Sequence, residues 1–254
     1  YENALSISGA NGFSLSGNGQ QLDDLRRSLR TMYAADPVLA NVAARTLDAA
    51  DVIDHAAPSS YTPSPGVTYP DSDLGRSMAN LAQMIKLDLG LQAATIDTGG
   101  WDTHESQASS GNPVSGSYAD LVAGLSNSLH AFWSDLDAYR GRLTVVVMSE
   151  FGRRLRENDN RGTDHGHGGL MLVFNNRLTR GGVHGTWPGL ATEQLFENVD
   201  LEVTTDFRTV LCEIMETQLG INEPAALFPG FTYPGPIGLL QPALKLSPSG
   251  IMLR

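Results

Sequence analysis

Two spacings of apolar residues divide the chain. Steps of three and four, the repeat of one helical face, link Leu22, Leu25, Leu29 and Met32 and predict a helix over residues 22–35. A second helix is expected over 37–55, with Pro37 in its first turn, where a missing amide proton costs nothing. Met78, Leu81, Ile85 and Leu89 predict a third over about 74–91. Tyr118, Leu121, Leu125, Leu129, Phe132 and Leu136 predict a long fourth ending near Gly141. Thr205 and Asp206 read as the start of a last helix with Phe207, Val210, Leu211 and Ile214 on its apolar face and Gly220 as its stop. The first three read as scaffold packed on a sheet.

Shorter runs carry strand patterns. Residues 4–8 and 13–16 alternate apolar and polar about Gly9–Gly12 and predict a hairpin or paired edge strands. Ala93 to Ile96, Thr144 to Met148 and Leu170 to Phe174 are short apolar runs, and 181–189 reads as a turn with an edge strand. The order strand, helix, strand across 93–148 is that of a right-handed βαβ crossover in a parallel sheet. Residues 56–73, with Pro58, Pro63, Pro65 and Pro70, read as an internal loop, and 224–254 as a tail wrapping the surface. The whole of 1–254 then forms a single α/β domain.

Chemistry gathers where those strands end. The run 93–96 leads into Asp97, Asp102 and His104. The run 144–148 leads into Glu150, Arg153 and Arg154. Asp164, His165 and His167 precede 170–174. Ligands of parallel α/β sheets bind beyond the carboxyl ends of the strands, so these groups are expected to converge. Carboxylates mixed with imidazoles suit Zn, Mn or Fe better than Ca or Mg, which favour oxygen alone. Seven candidates (Asp97, Asp102, His104, Glu150, Asp164, His165 and His167) exceed the four ligands of one zinc and would serve one or two divalent ions. Blander roles exist for each. Asp164 caps turns well, His167 can bond backbone, and Glu150 can pair with Arg153 or Arg154. Arg153 and Arg154 can instead grip an anionic substrate through forked hydrogen bonds. His55, His130 and His184 are not expected to be ligands.

Composition narrows the class. The 254 residues are 41% hydrophobic and 18% charged, with a net charge of -11. That balance supplies a core and argues against nucleic-acid or anionic-lipid binding, which needs basic patches. No apolar run reaches the ~18 residues of a membrane span. The single cysteine, Cys212, forbids an intrachain disulfide and reads as a small packing residue.

Gly99-Gly100-Trp101-Asp102-Thr103-His104, Ser149-Glu150-Phe151-Gly152-Arg153, Asn158 and Gly162-Thr163-Asp164-His165-Gly166 resemble, in wording and order, the motif series of the bacterial domain of unknown function 1501 family. That family is related to the sulfatase and alkaline phosphatase superfamily. The similarity runs from Ser8–Phe13 to Leu227–Gly230. It implies a doubly wound, mainly parallel sheet with helices on both faces, alkaline phosphatase-like, and a metal-dependent hydrolase-like centre. In the wider superfamily the matching strand end is Ser-Asp-His-Gly, with Asp and His on the metal. Here it reads Ser149-Glu150-Phe151-Gly152, so His165 or His167 is expected to supply the missing imidazole. The superfamily's nucleophile lies on N-terminal strands with no counterpart after Tyr1. The chain is therefore expected to be the C-terminal part of a longer, exported precursor, with an N-terminal fragment as partner.

Two functions are expected. One is a periplasmic or extracellular metal-dependent hydrolase of phosphate or sulfate esters, using Glu150 and Arg153 in catalysis on an anionic ester substrate. The other is a non-catalytic exported or surface protein that keeps the fold and one structural metal.

Overall fold

A computed structural model describes residues 19–56, 61–88, 90–110, 112 and 114–241. The hairpin expected within 4–16 lies outside them. The chain divides into two compact units, one of residues 1–98 and 123–136, the other of 99–122 and 137–254.

In the first unit, α1 (Gly19–Tyr33) and α2 (Pro37–Ala56) pack on each other. Asp36 ends the turn between them: its Oδ1 accepts the amides of Val38 at 2.8 Å and Leu39 at 3.2 Å, and Pro37 follows as the first helical residue. This cap satisfies amide protons that have no partner inside the helix. Arg30 of α1 pairs with Asp48 of α2 at 2.8 Å. Helix α3 (Asp73–Lys86) starts at Ser72, whose Oγ accepts the Gly75 amide. It stops short of the predicted 91 because the Leu87 amide closes the last turn and Asp88 then adopts a left-handed φ of 54°. Residues 93–96 are exposed or half-buried and form no strand ladder among the described residues.

A densely bonded polar group of this unit is Asp135, at the end of α4 (Ser117–Asp135). Its carboxylate is buried and accepts from the Ser64 amide at 2.7 Å, the Lys86 ammonium at 2.5 Å, the Tyr69 hydroxyl at 2.8 Å and the Tyr61 hydroxyl. The proline-rich loop is thereby fastened to α3 and α4. Burial pushes the Asp135 carboxyl up, but Lys86, Ser64, Tyr61 and Tyr69 outweigh it and bring the pKa down to about 2. Burial and the Asp135 hydrogen bond push the Tyr69 hydroxyl far up.

The second unit is built on short antiparallel pairs. Strand β1 (Val145–Val147) pairs with β4 (Leu172–Phe174), Val146 facing Val173. Between them in sequence, β2 (Gly152–Arg153) pairs with β3 (His165–Gly166), Arg153 facing His165. Among the described residues, strand ladders are confined to these two ribbons, with isolated bridges such as Leu178 to Leu240. The 181–189 segment bends at Gly181, Gly182 and Gly185 and forms no strand.

Helix α5 (Phe207–Ile214) begins at Asp206, which caps the Arg208 amide. It runs through one wider turn to Gly220, whose φ of 67° makes the predicted stop. Val210 and Ile214 bury with Leu239 and Leu240, and Val146, Met171, Val173 and Leu178 pack against them. The Pro- and Gly-rich tail is therefore core at 239–240 and does not merely wrap the surface. Glu213, fully buried, fixes it there by accepting the amides of Ile237 and Leu240, each at 2.8 Å. No helix of the described residues is long and apolar enough to cross a membrane.

Candidate metal centre

Two loops of the second unit are zipped together. The Ser106 and Gln107 amides bond Asn160 O and Arg161 O, and the Thr163 amide bonds Thr103 O. Gln107 Oε1 accepts both the Thr103 and Thr163 hydroxyls at 3.1 Å. Asn158 Nδ2 donates to His104 O and to Asp164 Oδ1, each at 2.9 Å, while its Oδ1 accepts the Asn160 and Gly162 amides. Gly162 is required at this seam, because a Cβ there would collide with the His104 carbonyl and the Glu105 amide.

The zipped loops bring side chains together at the end of the β2–β3 ribbon. Asp102, His104 and His165 each offer a ligand atom, and the three atoms lie within 4.8 Å of one another. His165 Nε2 is 2.7 Å and His104 Nε2 is 2.9 Å from Asp102 Oδ1. His104 Nδ1 is 3.2 Å from Asp164 Oδ1. All four side chains are about half exposed, open to a solvent-borne ligand. A hydrogen bond from His165, opposed by burial and aided by the charges of His104 and Arg153, holds the Asp102 carboxyl below its usual range. Asn158 first, then His104, does the same for Asp164. Both are anionic at neutral pH.

The other expected residues take different places. The Arg153 guanidinium donates to Trp101 O and Thr163 O, approaches Thr103 Oγ1 at 3.5 Å and stands 3.8 Å from Asp102 Oδ1. It ties together the two loops that carry the cluster. Glu150 is exposed, its Oε2 accepting from Ser149 Oγ at 3.4 Å, and it lies outside the three-ligand group. His167 stacks on Phe196 with ring centroids 3.8 Å apart, its amide bonded to Asp200. Asp97 is an exposed residue of the first unit. Gln107, Thr103 and the full role of Asn158 escaped the sequence reading. The Asn158-to-Gly162 spacing is the turn chemistry that marks the loop.

The donor set fits a divalent cation. With the Nδ1 proton of His104 given to Asp164, Nε2 and Asp102 Oδ1 are two lone pairs 2.9 Å apart, and only a proton or a metal ion reconciles them. Two imidazoles and a carboxylate around one ion would stand about 3.3 Å apart in tetrahedral geometry, so each imidazole nitrogen would move a few tenths of an ångström from Asp102 Oδ1. His104 backed by Asp164 is the carboxylate–histidine pairing that commonly orients a metal-bound imidazole.

Two imidazoles and a carboxylate gathered by zipped loops define a protein with a candidate divalent-metal centre. The chain belongs to the family described as protein of unknown function (DUF1501), whose model matches residues 17–227 and so spans every residue of the cluster. No curated protein matches the chain. No solved structure matches it either.

Proposed function

We propose that this protein is an exported, doubly wound α/β metal-dependent hydrolase that cleaves phosphate or sulfate esters. The observation that carries the reading is the facing of Asp102 Oδ1 by the Nε2 atoms of His104 and His165 at 2.9 and 2.7 Å. Asp102, His104 and His165 hold one divalent ion, Zn, Mn or Fe, and leave it open on the solvent side, as catalytic sites with three protein ligands do. Asp164 keeps the Nδ1 proton of His104 and so keeps Nε2 basic. A bound divalent ion supplies Lewis acidity and a water of lowered pKa. Glu150, exposed on the turn between β1 and β2, is free to exchange a proton with a reacting group. Arg154 sits 3.9 Å from Asp200 with its side chain about half exposed, and it offers the anionic substrate a cation that Arg153 does not.

A second reading, a non-catalytic exported protein with one structural metal, draws support from Arg153. Its guanidinium, expected to grip substrate, is spent on two backbone carbonyls. Metal analysis of the purified protein together with turnover of aryl phosphates and aryl sulfates separates the two. About one ion per chain with metal-dependent turnover supports the hydrolase. One ion without turnover on either ester supports the structural reading. Protein that binds neither Zn nor Mn removes both.

A further inference from the structure

Phe151, on the turn into β2, cannot bind a metal, yet its ring touches the centre directly. Its ring stacks on His165 with centroids 4.2 Å apart and planes within 11°. The Arg153 guanidinium carbon lies 4.9 Å from the same ring's centroid. The ribbon register explains this meeting. Arg153 faces His165 across the β2–β3 pair, and Phe151, two residues before Arg153, projects to the same side and becomes the diagonal neighbour of His165. The positions between are Gly152 and Gly166, facing each other. A Cβ on Gly152 would run into Gly168 O, so the other side of the ribbon is closed to a side chain.

We propose that Phe151 and Arg153 are positioning residues for His165, a stacked pair that fixes the imidazole plane so that Nε2 points at Asp102. Each contact restrains a different freedom. The Phe151 face sets the plane of the imidazole. The guanidinium over the Phe151 ring steadies that ring, and it is itself anchored to Trp101 O and Thr163 O. Stacking leaves both imidazole nitrogens unblocked at the ring edge, which a hydrogen-bonding partner at that place would not. His104 is oriented by a carboxylate on its second nitrogen, and His165 by an aromatic face. This inference rests on the metal-centre reading, and the two fail on different measurements.

The test compares Phe151→Tyr, which keeps the face, with Phe151→Leu, which keeps apolar bulk without it. The first measurement is Zn and Mn titration by calorimetry. Supporting residues of a metal ligand change affinity about 10- to 100-fold, so F151L should weaken binding about tenfold or more while F151Y stays within about threefold. Equal affinity in wild type and F151L would overturn the proposal and leave the metal centre standing. The second measurement needs no metal. The His165 ring protons, assigned by their loss in His165→Gln, should be displaced upfield by the Phe151 ring current in wild type and F151Y and return toward ordinary values in F151L. Ordinary His165 shifts in metal-free wild type would overturn the stack whether or not an ion binds. Wild type that binds no ion but shows the upfield shifts would sink the metal centre and retain the orienting role of Phe151.

Discussion

His104 turns Nδ1 toward Asp164, 3.2 Å from its Oδ1. This separates two carboxylates that look alike in the sequence: Asp102 faces both Nε2 atoms as a ligand would, and Asp164 backs one imidazole from behind. Asp164→Asn should therefore weaken Zn or Mn binding about 10- to 100-fold without changing stoichiometry. Asp102→Ala and His165→Ala should abolish stoichiometric uptake. Calorimetric titration distinguishes the two classes. Equal losses in all three variants would mean that Asp164 is itself a ligand.

Metal affinity should rise with pH. Asp102 and Asp164, their carboxyls held below the usual range, are already ionised at neutral pH and add no dependence there. Binding to His104 and His165 must displace imidazole protons. Titrations in buffers of different ionisation enthalpy should record net proton release on binding. Uptake of protons on binding would contradict this ligand set.

In the first unit, Asp135 should govern acid stability. Its pKa falls from 3.8 to about 2 on folding, so its contribution is fully present above about pH 4 and is lost as pH falls toward 2. A shift of that size is worth about 2 kcal/mol. Asp135→Ala should cost about 3 kcal/mol at pH 7, since it leaves Lys86 and two tyrosine hydroxyls without their shared acceptor. Urea denaturation from pH 5 to 2 should show a fall in stability that is smaller in Asp135→Asn than in wild type by about 2 kcal/mol.

Gly162→Ala tests the seam between the loops. The added methyl must push away the His104 carbonyl, at a cost of about 1–3 kcal/mol, and should weaken metal binding by moving His104. Thermal unfolding with and without Zn measures both. An unchanged midpoint and affinity would show that the loops part without consequence.

The helices were legible because their signals are local: Pro37, the apolar steps through Phe132, and Gly220 at a left-handed position all fall where periodicity and caps place them. The chemistry at 102–104 and 164–165 was legible as a concentration of ligand types. What could not be read was selection among them. His165 and His167 differ by two residues, yet one faces Asp102 and the other Phe196, a choice set by where the ribbon ends, at Gly166, and by Asp200, far along the chain, which takes the His167 amide. Arg153 looked like a substrate grip because a fork of donors on a strand end has no visible acceptor in sequence. Its acceptors are backbone carbonyls 10 and 52 residues away. The burial of Leu239 and Leu240 was hidden by the Pro and Gly around them.

The Glu213 latch bears on how this protein can be cut for study. The family match ends at residue 227, an inviting terminus for an expression fragment. Such a fragment would discard the Ile237 and Leu240 amides and strand a carboxylate in the apolar interior behind β1 and β4. It would also unroof Val210 and Ile214. Any recombinant version intended for metal or turnover assays needs the chain through at least Gln241, and a purification tag on the C-terminal side should follow that residue, not replace the segment before it.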